Sequence, residues 1–238
     1  MVRTIVWFIY FWLYLVLILP DLWKVNKMEK LGQKEKHDSV VFQIVRKWAR
    51  SLLSLAGVTV DVRGSEHIPD HEAVVFISNH QGNFDIPILL GFIDKPKAFI
   101  AKVEILKMPL IRTWMTHMKC VFMDRSDIRQ SLRTISQAAD YVKQGYSMVI
   151  FPEGTRSKGN SIGEFKPGSF KLALKAGAPI IPVTIRGSYR IMEQQGFIIK
   201  PGKVEVIISE PISTKRLSKE EEALLPDRVR GIIEKNLT

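Results

Sequence analysis

The stretch Ala73-Val-Val-Phe-Ile-Ser-Asn-His-Gln-Gly-Asn-Phe-Asp85 governs how the rest of the chain is read. Its apolar opening, Ala73 to Ile77, is the size and type of a buried strand. Turn-forming residues follow, and then Ile86-Pro87, where Ile86 is biased to extended backbone and Pro87 suits the first turn of a helix. The unit is therefore strand, loop, helix. His80 and Asp85 lie five positions apart across that loop. Fully extended, they would be separated by up to roughly 16 Å, and positions i and i+5 of a helix face different directions. A compact turn, which Gly82 and Asn83 permit, is needed to bring them together. In such a turn Asp85 accepts from one ring nitrogen, sets the tautomer and leaves the other nitrogen as a base. On spacing alone, a loop histidine beside a helix-capping aspartate fits as well.

Working outward, short β-rich runs alternate with helical ones after Gly57. Strands are expected over Val58–Arg63, Ala73–Ser78, Lys97–Ala101, Lys119–Met123, Ser147–Phe151, Ile180–Ile185 and Val204–Ser209. Helices are expected near Pro87–Phe92, Asp127–Lys143, Gly168–Ala176 and Lys219–Lys235. Ser126 is placed to cap the second of these, and Gly177 with Pro179 to close the third. This alternation predicts an α/β fold, a mixed and largely parallel sheet of about seven strands covered by helices. Sites in such sheets collect at strand ends.

The 238 residues are 46 % apolar, which argues against disorder, and their formal net charge is +11. Such a surface favours nucleic acid, anionic lipid, phosphorylated metabolites or an acidic carrier protein. The single cysteine, Cys120, excludes an intramolecular disulfide framework and a cysteine-based zinc site.

The N-terminus chooses among those partners. Ile5 to Leu19 carries no charged residue, and at about 1.5 Å per residue it covers roughly 22 Å, short of the ~30 Å hydrocarbon core. Met1 to Trp23 would just span it. No small-residue cleavage site follows, since the run ends in Pro20-Asp21-Leu22-Trp23. Trp7, Phe8, Tyr10, Phe11, Trp12 and Tyr14 suit the headgroup boundary. Lys24, Lys27, Lys30, Lys34 and Lys36 follow, beside a second helical pattern over Ser39–Ala56. We read residues 1–56 as a two-helix membrane anchor entering one leaflet, with a single span as the competing topology. Residues 57–238 form the α/β domain on the cytoplasmic face, because cations beside an apolar anchor suit the anionic inner leaflet.

Three further clusters close on strand exits. Phe151-Pro-Glu-Gly-Thr-Arg-Ser157 offers close backbone approach at Gly154 and Thr155, a phosphate fork in Arg156 and a hydroxyl acceptor in Glu153. Val121-Phe-Met-Asp-Arg125 ends a strand on an arginine, and Lys102 follows another. Ile180–Gly187 contains Pro182, which either shapes a wall or marks an edge strand.

Asn79-His80 with Asp85, the Val121–Arg125 segment, Phe151–Ser157 and Ile180–Thr184 resemble the four ordered blocks of the glycerophospholipid acyltransferase family. Within it they are most similar to bacterial 1-acylglycerol-3-phosphate (lysophosphatidic acid) acyltransferases. Met123 stands where the family more often has isoleucine. The resemblance implies acyl transfer from an acyl carrier protein or coenzyme A thioester to the sn-2 hydroxyl of 1-acylglycerol 3-phosphate, giving phosphatidic acid. His80 is then the general base, and Asp85 its support. Glu153, Gly154, Thr155 and Arg156 position the glycerol phosphate, joined by Arg125 and Lys102. Lys102 or a backbone N–H near Gly154 is the expected oxyanion donor. Neither a metal nor a cofactor is implied, the partners are membrane lipids and the thioester donor, and nucleic acid is not among them. The Leu106–Met118 region is an unassigned candidate for the acyl groove. The competing readings are another lysophospholipid or glycerol 3-phosphate as acceptor, a metal-dependent hydrolase built on His80, Asp85 and Glu153, and a non-catalytic basic membrane adaptor. Against the hydrolase stands the scarcity of histidines, five in all.

Overall fold

The structure, a computed structural model, describes residues 1–238. Strand β2, Val75–Ser78, is buried along its whole length, as expected of a strand covered on both faces. The seven strands are β1 (Val58–Arg63), β2, β3 (Lys97–Lys102), β4 (Val121–Met123), β5 (Ser147–Ile150), β6 (Ile180–Arg186) and β7 (Gly202–Ile208). They form one sheet in the order β1-β7-β6-β2-β5-β3-β4. β6, β2, β5, β3 and β4 run parallel, while β7 pairs antiparallel with β6 and carries β1 alongside it. The C-terminal ends of five strands therefore share one edge.

Eight α-helices accompany the sheet: α1 (Val2–Leu17), α2 (Leu19–Lys30), α3 (Lys34–Ala56), α4 (Asp85–Phe92), α5 (Pro109–His117), α6 (Ile128–Lys143), α7 (Lys171–Ala176) and α8 (Lys219–Lys235). Gly57 and Gly177 end α3 and α7 in the left-handed conformation. At α6 the cap is Asp127 and not Ser126. The Asp127 carboxylate accepts from Gln130 N at 3.0 Å, while Ser126 is tied back to Asp124. Lys119 adopts φ 63 as the chain leaves α5, so β4 starts later than the residue pattern suggests.

Pro182 lies on an interior strand, not an edge. Its carbonyl accepts from Ser209 N, and the pairing shifts by one residue between Val183↔Ile208 and Ile180↔Ile212. A bulge on the opposing chain thus removes the need for the donor that proline lacks.

Three N-terminal helices precede β1, where two were expected. The helix expected from Ser39 begins at Lys34 and buries Val41, Val45, Ala49 and Leu52 in the same core as the sheet. Trp7, expected at a headgroup boundary, is 8 % exposed and donates its indole N–H to Leu52 O at 2.8 Å. The opposite face of α1 leaves Ile5, Phe8, Ile9, Trp12, Leu13 and Val16 exposed. No single helix is long and apolar enough to cross a membrane. Val2–Leu17 and Leu19–Lys30 together meet the length and composition required, with a 43° bend between them.

Candidate functional site

β2 lies between β5 and β6, so the loop leaving β2 meets the loops leaving both neighbours. The Asn79 side chain pairs with β6 as another strand would, donating to Ile185 O at 2.9 Å and accepting from Ile185 N at 2.8 Å. Gln81, fully buried, accepts from Gly187 N at 2.8 Å. On the other side the loop is zipped to the one after β5: Ser157 N donates to His80 O at 2.8 Å, and Lys158 N to Gln81 O at 3.1 Å.

This framework folds the chain back between His80 and Asp85, whose Nδ1 and Oδ2 lie 2.7 Å apart. Asp85 is the first residue of α4 and is fully buried. Its Oδ2 also accepts from Gly82 N at 2.8 Å, and its Oδ1 from the Ser188 hydroxyl. Acceptor-only on both oxygens, Asp85 requires the imidazole proton on Nδ1, which leaves the Nε2 lone pair available. The imidazole stacks on Phe151, with ring centroids 4.1 Å apart and planes 17° from parallel, which fixes its azimuth. His80 remains partly open to the surface, and Nε2 bonds to no protein group.

Glu153 faces inward. Its Oε1 accepts from His80 N at 2.7 Å and its Oε2 from Gly163 N at 3.0 Å. Burial pushes its carboxyl pKa up, and the two backbone donors oppose that rise. Both oxygens are committed to backbone, so Glu153 shapes the loop that carries His80 and does not point outward at a hydroxyl. Gly154 adopts φ 71, and its N–H is taken up by Phe151 O in the turn. Thr155 is exposed beside it.

Among the expected cations, Arg125 reaches this turn, donating from Nη1 to Gly154 O. Arg156 lies toward α4, donating from Nη1 to Asn83 Oδ1 at 2.5 Å, with Glu193 Oε1 at 3.4 Å. Lys102 is exposed and paired with Glu104 at 2.7 Å, so it joins neither arginine directly. Lys166 does reach Gly154: a methyl group there would lie 3.0 Å from its Nζ.

Residue patterns missed Ser188, Asn83, Lys166 and Glu193. Ser188 sits just past Gly187, at the end of the strand next to β2, so the strand-exit signal extended one residue beyond where it was read. Glu193 carries no such signal. Its side chain is 4 % exposed, accepts from Asn83 N at 2.7 Å and leaves Oε2 without a partner, against Gly82.

A family model described as Acyltransferase matches residues 59–186, which contain His80, Asp85, Arg125, Glu153 and Arg156. The chain belongs to the acyltransferase family. It is 38 % identical over 172 residues to a chloroplastic 1-acyl-sn-glycerol-3-phosphate acyltransferase of Brassica napus, covering 71 % of this acyltransferase and 49 % of that protein. It therefore spans about half the length of that relative. It is 31 % identical to the 1-acyl-sn-glycerol-3-phosphate acyltransferase of Borreliella burgdorferi, covering 82 % of this chain and 78 % of that one. The crystal structure of the 1-acyl-sn-glycerophosphate (LPA) acyltransferase PlsC from Thermotoga maritima superposes with a TM-score of 0.77 at 30 % identity. That match covers 99 % of this acyltransferase and 96 % of that chain.

Proposed function

We propose that this acyltransferase moves a fatty acyl group from an acyl carrier protein or coenzyme A thioester to the sn-2 hydroxyl of 1-acylglycerol 3-phosphate, forming phosphatidic acid. The observation that carries this reading is the His80–Asp85 pair, buried at the aspartate and open at Nε2. Nε2 removes the proton of the acceptor hydroxyl as its oxygen attacks the thioester carbonyl. The tetrahedral intermediate then expels the thiolate, which recovers the proton from the His80 imidazolium. The products are an ester and a free thiol, and no acyl-enzyme forms. Asp85 stabilises the imidazolium throughout. Arg125 and Lys166 flank the Gly154 turn, Arg156 lies beside Asn83 toward α4, and these cations are available to the phosphate. The step as written uses no cofactor.

The N-terminal helices support work at a lipid surface. Trp7 packs against Phe84, the residue before Asp85, with ring centroids 5.3 Å apart. The buried face of α1 is thus fastened to the start of the catalytic helix, while its other face presents exposed aromatic and aliphatic side chains. With that face in one leaflet of the cell membrane and the lysines of α2 at its cytoplasmic headgroups, an acceptor lipid need move little to reach His80.

An activity matrix tests the reading: purified protein, both thioester donors, and a panel of lysophospholipids plus glycerol 3-phosphate as acceptors. Turnover restricted to 1-acylglycerol 3-phosphate is expected. Preference for another acceptor, or thioester hydrolysis without transfer, would overturn it. Thiol labelling at position 1 from either membrane face decides topology, and an outward-facing terminus would defeat the single-leaflet arrangement.

A further inference from the structure

At the edge of the sheet opposite His80, three helices converge on side chains that are remote in sequence. His37 on α3 and His117 at the end of α5 are 3 % and 6 % exposed, and Nε2 of His37 lies 3.0 Å from Nδ1 of His117. Glu29 on α2 completes the group, with Oε2 3.5 Å from the same His117 nitrogen. All three donor atoms lie within 4.8 Å of one another. A small cavity bordered by Asp38, His117 and Tyr146 also touches Lys97 and Ser147, the first residues of β3 and β5. His80 lies two residues past the end of β2, which runs parallel to them, so the two sites lie at opposite ends of the strands.

We propose that Glu29 Oε2, His37 Nε2 and His117 Nδ1 form a binding site for a divalent transition cation of the zinc class, clasping α2 to α3 and α5. Four features favour it. First, donors around a tetrahedral zinc with bonds of about 2.0–2.1 Å stand roughly 3.3 Å apart, and the separations of 3.0 and 3.5 Å straddle that value. Second, Asp38 Oδ1 lies 2.7 Å from His37 Nδ1. Accepting that proton turns the Nε2 lone pair toward the site and makes the ligand more basic. Third, Lys119 Nζ holds the other oxygen of Glu29, Oε1, at 3.3 Å, which leaves Oε2 for the cation. Fourth, two imidazoles and one carboxylate oxygen suit zinc and its neighbours, whereas magnesium and calcium need mostly oxygen donors. Binding requires lone pairs on both facing nitrogens, so the His117 proton moves to its Nε2. Nothing is oxidised or reduced. Placed at the far end of the sheet, the cation acts on the docking of α2 and takes no part in proton transfer at His80. The alternative is a plain His37–His117 hydrogen bond beside a Glu29–Lys119 ion pair.

The test uses the untagged full-length protein in detergent, stripped with a chelator and titrated with zinc chloride alone. One zinc per chain retained through gel filtration is expected, with a rise in Tm on the order of 5 °C at saturating metal. Cobalt(II) in place of zinc is expected to give the intense visible bands of a four-coordinate site. His37→Gln and His117→Gln should abolish retention. Asp38→Asn should weaken binding by about 10–100-fold. His71→Gln, at an exposed histidine, should leave binding unchanged. Failure of the wild type to retain zinc overturns the proposal, as does wild-type binding by the His37 and His117 variants, which would mean adventitious metal only. The cobalt spectrum settles the matter even if one of these variants folds poorly.

Discussion

Replacing Asp85 with asparagine separates a catalytic carboxylate from a merely structural one. Gly82 N–H and His80 Nδ1–H both point at Oδ2, whereas only the rotatable Ser188 hydroxyl meets Oδ1. The asparagine amide therefore settles with its oxygen in place of Oδ2 and its NH₂ toward Ser188, which turns to accept. Fold and imidazole tautomer survive, but the negative charge does not. With charge centres about 4 Å apart and an effective dielectric of ~20, the carboxylate stabilises a full imidazolium by roughly 4 kcal/mol. Since the charge is only partly developed in the transition state, kcat should fall on the order of 10²–10³-fold. Exchanging charge-assisted hydrogen bonds for neutral ones costs about 1–2 kcal/mol, a drop of a few degrees in Tm. The assay is thiol release from the acyl thioester with 1-acylglycerol 3-phosphate in mixed micelles, beside a thermal melt. A D85N enzyme within tenfold of wild-type kcat, with a near-native melt, would refute the assignment of His80 as a base supported by Asp85.

Four other outcomes follow from the same geometry. Arg156→Ala should raise the KM for the phosphorylated acceptor by about 10–100-fold, the worth of a charge-assisted hydrogen bond. A raised donor KM with the acceptor KM unchanged would move Arg156 to the thioester side. Gly82→Ala should lower activity, because the new methyl would sit 2.3 Å from Glu193 Oε2 and displace the carboxylate that accepts from Asn83 N; full turnover in kinetic assays would show that this contact is soft. Cys120→Ala should keep kcat within a few-fold, since burial raises its thiol pKa to about 12 and Phe99 N donates to the sulfur, leaving no thiolate to be acylated. Loss of turnover would instead indicate a covalent route through Cys120. Burial lowers the Lys97 pKa to about 7, so between that pH and the ordinary lysine range the unfolded chain binds more protons than the folded one. Stability attributable to Lys97 should rise with pH through that window and be lost below about pH 7. Lys97→Met should flatten the dependence in melts from pH 6 to 10, and an unchanged slope would assign it to other groups.

What the sequence by itself determined is local. Strand β1 and helix α8 begin and end where the residue pattern places them, because short-range chemistry marks their limits. Gly57 ends α3 in the left-handed conformation at the threshold of β1, and Ser218 and Glu221 form a reciprocal capping box at the start of α8. The His80–Asp85 contact belongs only in part to this class: Gly82 and Asn83 permit the turn, but the bonds of Asn79 and Gln81 to β6 and of the loop after β5 to His80 and Gln81 fold it back. Helix α5 was not among the expected elements, although Leu110, Ile111, Trp114, Met115 and Met118 recur at helical spacing and pack on the core. Tertiary structure decided the rest. Asp85 gains Ser188 only because β6 packs beside β2, 103 positions away in sequence. Glu153 turned inward because His80 N and Gly163 N needed an acceptor once the two loops met. Two of the five histidines, His37 and His117, met across 80 residues. Periodicity records which face of an element is buried, but it carries no record of which distant element arrives there.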